Sequence, residues 1–429
     1  MYYFYVSLVY LLLPFLIVFQ YIRGVKKQAY HARWKEYLGF YSTQHTQQII
    51  WIHAASVGEI EAANVLINYY CDNSPYKVLV TTATEPGYQR VHALQGDRIE
   101  HVYLPIDTPD AISRFLTHFQ PRVAIIMETE IWPALFAQCA ENSLPLFIVN
   151  ARLSEKSCKS YRKVKPLLQT VFADMSGVLV QTEVDALRYQ EIGVSVEKIT
   201  VAGNIKLDMA IPERVKKQAV QFKKELFAGR LVFVVGSTHE GEDELFLSVY
   251  RHLKAQFPTL LLVLVPRQPK RTEEISQLCQ ADGLIFIRRT DNKSCTESTD
   301  IFLVDTIGEL KSMYAVADCS FVAGSMVPIG GHNIFEPILL DVPVLFGPYM
   351  KNSELLAQQL LAAKGGVQCF NVDEIVSAVT LILSQENEKK RLVSAGRTFV
   401  EQNKGALGKT IDIINEAMLR EMEINNHPI

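Results

Sequence analysis

Carboxylates able to take a proton, and cations able to hold an anion, recur here directly after apolar, β-branched runs. The first follows IIWIHA (49–54), where Ala55-Ser56-Val57-Gly58-Glu59 leads into a helical pattern. Gly58 permits a tight turn there. Glu59 then falls in the first helical turn, where it can accept a proton from a substrate hydroxyl or serve as ordinary charge pairing at a helix N-terminus. VAIIME (123–128) ends in Glu128-Thr129-Glu130-Ile131-Trp132-Pro133, with Trp132 and Pro133 starting the next helix. Two carboxylates at the mouth of a buried strand are costly unless paired or used. The structural alternative is a helix cap or a pairing with Arg152, in the cluster Asn150-Ala151-Arg152-Leu153-Ser154. Gly203-Asn204-Ile205-Lys206 adds an ammonium group, for which a solvated surface position is the plain alternative.

The second half repeats the theme with anion-binding character. Gly236-Ser237-Thr238-His239-Glu240-Gly241-Glu242 follows a strand, and its N–H groups and hydroxyls suit a phosphate. Pro266-Arg267 supplies a guanidinium fork, and Asp305-Thr306-Ile307-Gly308-Glu309 repeats the strand–Gly–Glu arrangement. In Gly324-Ser325-Met326-Val327-Pro328-Ile329-Gly330-Gly331-His332-Asn333-Ile334-Phe335-Glu336, a glycine-rich loop opens a helix and offers N–H groups to a phosphate. Glu336, one turn in, can accept two ribose hydroxyls, a nucleotide-sugar pattern; a loose connection with a capping Asn333 is the alternative. No G-x-G-x-x-G dinucleotide fingerprint, Walker loop or Asp-x-Asp is present, and the histidines do not fall at metal-ligand spacing.

The elements that must carry these residues are strands buried on both faces. The runs 49–54, 77–83, 101–105, 123–128, 145–150, 177–182 and 199–204 form one series, with helical patterns such as Glu59–Tyr70 and Pro109–His118 between them. A second series comprises 231–236, 260–266, 284–289, 301–305, 319–324 and 342–347. Apolar on both alternations, they predict parallel sheets in an α/β protein: two doubly wound, Rossmann-like domains facing each other across a cleft. The charged segment 210–225 reads as a connection and a surface helix. A length of 429 residues suits two domains. With 43 Lys and Arg against 46 Asp and Glu the chain lacks the basic excess of a nucleic-acid binder. Seven scattered cysteines suggest a reducing compartment.

Met1 to Ile22 carries no charged side chain and is followed by Arg23, Lys26, Lys27, His31, Arg33 and Lys35. This predicts a membrane-anchor helix, spanning or lying in the interface, with the remaining chain on the cytoplasmic side; a buried helix of the first domain is the alternative. The expected organisation is an anchor over 1–22, a first domain over 23–208, a linker over 209–225, a second domain over 226–405 and a C-terminal helix and tail over 406–429.

Read in order behind that apolar N-terminus, HAASVGE, METEIWP, NARLSEKS, GNIKLD, STHEGE, LVPRQPKR, DTIGEL and GGHNIFEP resemble the 3-deoxy-D-manno-octulosonic acid (Kdo) transferase family. The resemblance runs from residue 1 to about 410. It implies a GT-B fold and an inverting, metal-independent glycosyltransferase of lipopolysaccharide synthesis at the inner membrane, needing no cofactor. The donor would be CMP-Kdo, the acceptor the lipid A precursor lipid IVA, and the membrane partner anionic lipid at the cytoplasmic face. Carried onto this sequence, Glu59 is similar to the family's general base, and Glu128 and Lys206 to its transition-state stabilisers. Pro266, Arg267, Ile307, Gly308, Glu309, Asn333, Ile334, Phe335 and Glu336 match CMP-binding positions. Ser56, Gly58, Glu130, Arg152, Ser237, Thr238 and His239 are further acceptor- or donor-side candidates. Two departures are PRQPKR where PRHPER is expected and Ile334-Phe335 where Pro-Leu is frequent; neither alters Arg267 or Glu336. The competing readings are a UDP-sugar transferase or epimerase of the same fold, and a non-catalytic, membrane-tethered nucleotide-sugar binding protein.

Overall fold

The computed structural model describes residues 1–25, 33–42, 47–209, 211, 213–227 and 229–426, the side chains of 16–25 and 421–426 excepted. The chain divides into two compact units. One comprises Met1–Met209 with Asn403–Ile429, the other Ala210–Gln402.

The first unit is built on β1 (Ile49–His53), β2 (Lys77–Thr82), β3 (Glu100–Tyr103), β4 (Pro121–Met127), β5 (Leu146–Ala151), β6 (Gly177–Val180) and β7 (Ile199–Val201). They form one parallel sheet in the order β3-β2-β1-β4-β5-β6-β7. Ile49, Ile50, Trp51 and Ile52 are all fully buried, because successive side chains enter the apolar layers on opposite faces of the sheet. Ile49 and Trp51 pack with Phe115 and Leu135 on one face, Ile50 and Ile52 with Leu66 and Ile67 on the other.

The second unit has β8 (Val232–Thr238), β9 (Leu261–Pro266), β10 (Phe286–Arg288), β11 (Ile301–Leu303), β12 (Cys319–Val322), β13 (Val344–Phe346) and β14 (Val367–Gln368). Their order is β10-β11-β9-β8-β12-β13-β14, again parallel throughout. The thirteen expected strands are present; β14 is an edge strand of two residues, too short to leave a pattern. In each sheet the strand order reverses beside the first strand, at β1/β4 and at β8/β12. Those reversal points are where doubly wound sheets open a crevice at their C-terminal ends.

The segment after the first sheet forms a helix, Glu213–Gln221, with a π-helical turn, Phe222–Leu226. The last helix, Ala406–Asn426, returns to the first unit, where Ala406, Ile411, Ile414 and Met418 join the apolar face that holds Ile50 and Leu66. Asp208 fixes that return: its carboxylate accepts from the N–H groups of Gly405 and Leu407, both at 2.7 Å, and so caps the helix from a distant segment.

The N-terminal stretch is helical over Tyr2–Val25. A transmembrane assignment finds no support: among the described residues no helix is long and apolar enough to cross a membrane. Tyr5 donates to Asp107 at 2.8 Å and Tyr10 to Asp110 at 2.5 Å, which ties the first turns to the first unit, and Tyr2 and Tyr5 pack against its core. Arg33, expected in a basic flank, is used internally as well. It donates to Glu36 and to the His101 carbonyl, both at 2.6 Å, and stacks over Tyr88 and Tyr103. Lys26, Lys27 and His31 lie outside the described residues.

Asp208→Ala is expected to cost about 1–2 kcal/mol of stability, because two N–H groups at a helix start lose a charged acceptor. Denaturant unfolding measures the loss, and hydrogen exchange should localise it to the helix beginning at Ala406; unchanged protection there would contradict the capping role.

Candidate active site

At the end of β1 the chain extends through Ala54 and Ala55 to Ser56, whose extended backbone caps the helix Val57–Asn73. Ser56 Oγ accepts from the Glu59 N–H at 3.4 Å and donates to Glu59 Oε1 at 2.8 Å, while Glu59 Oε2 accepts from the Ala55 N–H at 2.8 Å. This is a reciprocal helix-start arrangement, so the structural alternative for Glu59 is realised in its geometry. The carboxyl is nevertheless only 9% exposed, whereas helix-start charge pairing needs no such burial. Its pKa is raised to about 7: burial is the main cause, the bonds from Ser56 and Ala55 offset part of the rise, and the charges of Glu128 and Glu130 add to it. A group ionising near neutrality is suited to proton transfer. Gly58 does not make the turn as expected: it lies inside the helix, with nothing nearer its missing Cβ than Ser56 Oγ at 4.0 Å. The Ser56 cap makes the turn instead.

Glu128 follows β4 with φ +54°, a left-handed backbone that non-glycine residues seldom hold. Its N–H stays in the sheet, donating to the Val149 carbonyl at 2.9 Å. Each carboxylate oxygen receives one cation: Lys206 Nζ at 3.1 Å on Oε1 and Arg152 Nε at 3.0 Å on Oε2. Burial raises the Glu128 pKa, but Lys206 and then Arg152 more than reverse this and leave it below the ordinary carboxylate value. The expected pairing with Arg152 is therefore present, and Lys206 joins it instead of standing in solvent.

Lys206 is held by polar residues at the ends of β5, β6 and β7. Asn204 accepts from the Lys206 N–H at 3.0 Å and donates to Gln181 at 3.1 Å. Gln181 donates to the Asn150 carbonyl at 2.9 Å, and the Asn150 side chain accepts from the Ile205 N–H at 3.2 Å. Asn150, like Glu128, has positive φ. Gln181 has no motif of its own; its only signal is a polar residue directly after a buried strand. Glu130 is drawn aside: it accepts from Trp132 Nε1 at 2.9 Å, and burial raises its pKa.

In the second unit Ser237 takes φ +65° where β8 breaks register, and both Ser237 and Thr238 are buried. The Thr238 carbonyl accepts from the Arg267 N–H at 3.0 Å, which places Pro266 and Arg267 beside the end of β8. The glycine-rich loop differs from expectation. Its N–H groups at Gly324, Ser325 and Met326 donate to the fully buried Glu242 carboxylate at 2.7, 3.1 and 3.0 Å, and the His239 N–H donates to it at 3.0 Å. An internal carboxylate thus occupies donors that the sequence assigns to a phosphate. The helix that follows, Phe335–Ile338, is a single turn, and Asn333 caps it by accepting from the Phe335 N–H at 3.1 Å.

The remaining nucleotide-side candidates have separate partners. Glu309 pairs with Arg289 at 3.1 Å and accepts from Thr306, beside Gly308 at φ +91° and an exposed Ile307. Glu336 lies 3.8 Å from Lys311, while Ile334 and Phe335 are core residues. Tyr314 lies where Gly236 leaves room, since a Cβ there would stand 2.0 Å from its hydroxyl. Among the described residues no three His, Cys, Asp or Glu side chains cluster as metal ligands would.

Residues 32–209 match the family described as 3-Deoxy-D-manno-octulosonic-acid transferase (kdotransferase). The 3-deoxy-D-manno-octulosonic acid transferase of Haemophilus influenzae is 36% identical over 424 residues, covering 98% of this chain and 99% of that one. That of Bordetella pertussis is 30% identical over 376 residues, covering 86% and 87%. Two solved structures share the architecture. One is a UDP-GlcNAc 2-epimerase from Neisseria meningitidis bound to UDP-GlcNAc, at 14% identity and TM-score 0.57, covering 86% of this chain and all of that one. The other is a Rickettsia africae glycosyltransferase at 13% identity and TM-score 0.55, covering 87% and 99%. At that identity the likeness speaks for fold alone, and the two-sheet architecture is GT-B-like. Identity sustained along the full length of the Haemophilus influenzae enzyme carries more: the chain belongs to the 3-deoxy-D-manno-octulosonic acid (Kdo) transferase family.

Proposed function

We propose that the chain transfers Kdo from CMP-Kdo to a hydroxyl of lipid IVA, inverting the anomeric configuration, as a step of lipopolysaccharide core synthesis. The observation that carries this reading is the opposite treatment of two neighbouring carboxyls: Glu59 is poised near pH 7, while Glu128 is kept ionised by Lys206 and Arg152. Environments that push paired acids apart assign them different roles. Glu59 accepts the proton of the acceptor hydroxyl as its oxygen attacks the anomeric carbon of Kdo. The bond from that carbon to the CMP phosphate oxygen breaks, and the electron pair leaves with CMP. Glu128 stays a fixed anion that positions Lys206, whose ammonium offsets charge in the transition state. Arg267 takes the phosphate, and Glu336 the ribose hydroxyls. A monoester leaving group carries less charge than a diphosphate, so positioned cations can stabilise it without a metal.

The acceptor is a lipid, and the N-terminal helix gives the reading a membrane partner. Phe4, Leu8, Leu11 and Phe15 recur at helical spacing and are 75%, 43%, 69% and 71% exposed. With Tyr5 and Tyr10 tied to the first unit, this stripe suits a helix lying in the interface at the cytoplasmic face of the inner membrane, held also by anionic lipid. That placement raises the effective concentration of a lipid substrate.

Purified protein, CMP-Kdo and lipid IVA should yield product heavier by whole Kdo units in mass spectrometry, with UDP-sugars inert. Glu59→Gln should lower the rate about 10²–10⁴-fold while CMP still binds; an active variant would remove Glu59 as base, and turnover of UDP-sugars alone would favour the uridine reading. Because only ionised Glu59 accepts a proton, kcat/KM should rise with pH through a midpoint near 7 that the variant lacks. The same shift has a stability sign. A folded pKa of about 7 against the ordinary 4.5 means a contribution present below about pH 4.5 and lost as pH rises through about 7. Glu59→Gln should therefore raise the Tm relative to the parent at pH 8 but not at pH 4.

For the membrane reading, Leu8→Glu with Leu11→Glu should reduce co-sedimentation with phosphatidylglycerol-containing vesicles about tenfold. Unreduced binding would place the membrane contact elsewhere.

A further inference from the structure

His239 and His332 meet at the reversal point of the second sheet, after β8 and in the loop after β12. Their Nε2 atoms are 2.8 Å apart, with ring planes within 5° of parallel. Gly324 makes the meeting possible: a Cβ there would stand 2.8 Å from His332 Cδ2 and 3.3 Å from His239 Cδ2. Both rings are anchored through their backbones. The His239 N–H donates to Glu242 at 3.0 Å, and the Gly331 N–H donates to the Gly324 carbonyl at 2.8 Å.

Two nitrogens at 2.8 Å need one proton between them, so the neutral pair bridges with a single N–H and shows one Nδ1 donor and one Nδ1 acceptor at its outer ends. A single further proton turns the acceptor end into a donor and keeps the bridge; a second would break it. The pair therefore holds zero or one positive charge. Burial opposes that charge, and Arg267 opposes it on both rings; Arg271 opposes it and Asp243 favours it on His239, leaving His332 at about 4. The Glu242 carboxylate is committed to backbone N–H groups.

We propose that the His239–His332 pair takes up one proton when a nucleotide phosphate settles beside Arg267, so that donor-side binding is linked to proton uptake. The proposal rests on the reading of the second unit as the CMP-Kdo side. A phosphate offsets the charge of Arg267, whose backbone N–H is bonded to the Thr238 carbonyl next to His239, and the pair then answers with an added N–H donor. By reciprocity the phosphate binds more tightly as the pH falls. On transfer the phosphate passes from a diester to a monoester and gains negative charge, which favours the proton-loaded pair further.

The test is calorimetric titration of the full chain with CMP at pH 6 in two buffers of different ionisation enthalpy, for the parent, His239→Asn and His332→Asn. The proton balance of CMP itself is common to all three. The parent should take up a measurably larger fraction of a proton on binding than either variant, because only the paired rings keep a bridging N–H while an outer nitrogen is protonated. Its CMP affinity should also fall several-fold more than theirs between pH 5.5 and 7.5. A merely structural role would change Tm or affinity and leave the proton count alike in all three, which overturns the pair while the donor reading stands. Absence of CMP binding to the parent, with UMP bound in its place, overturns both. Two variants, each removing one ring, guard against one that fails to fold.

Discussion

The carboxylate of Glu128, with Lys206 on one oxygen and Arg152 on the other, is the interaction on which the first unit's chemistry depends. It sits at the sheet's reversal point on a left-handed backbone, and a lone buried anion there would cost several kcal/mol. Two cations remove that penalty and keep the group ionised. The consequence reaches Glu59. A neighbour that stays negative at every physiological pH makes ionisation of Glu59 harder, adding to the effect of burial. Neutralising Glu128 would lower the Glu59 pKa and loosen Lys206 together, so the three side chains form one electrostatic unit.

The second unit solves a related problem differently. Its reversal point also carries a buried carboxylate, Glu242, but the partners are four backbone N–H groups, with no cation among the described residues. These bonds join the loop after β8 to the loop after β12, and they occupy donors that would otherwise draw an anion to the loop base. Those N–H groups are therefore not available to a ligand phosphate. Glu242 therefore fills the base of the loop with a side chain of the protein itself.

Much of this was legible in the residues. Strands such as IIWIH are apolar on both alternations because both faces of the sheet are covered, and that pattern needs no tertiary knowledge. Glu59, Glu128 and Lys206 were visible as charged residues directly after such strands. What escaped was pairing across long separations. Nothing near Glu242 announces that its partners lie some eighty residues on; nothing near Asp208 announces a helix starting at Ala406; and Gly324 and His332 each read as loop residues until His239 stands against them.

The N-terminal helix shows how composition and contact part company. An uncharged run of about twenty residues satisfies the length criterion for a span, and tyrosine is compatible both with an interface and with a protein surface. Which environment a tyrosine meets depends on whether its hydroxyl has a partner. Here Asp107 already holds the N–H groups of Ala134 and Leu135 at 3.0 and 2.8 Å, and Tyr5 adds a third donor. The first turns are thus drawn to the first unit by a carboxylate more than a hundred residues away, with Tyr2 and Tyr5 packed toward it and Phe4, Leu8, Leu11 and Phe15 exposed. Tyr5 and Tyr10 thus give the apolar N-terminal run polar attachments to the first unit that its composition alone does not announce.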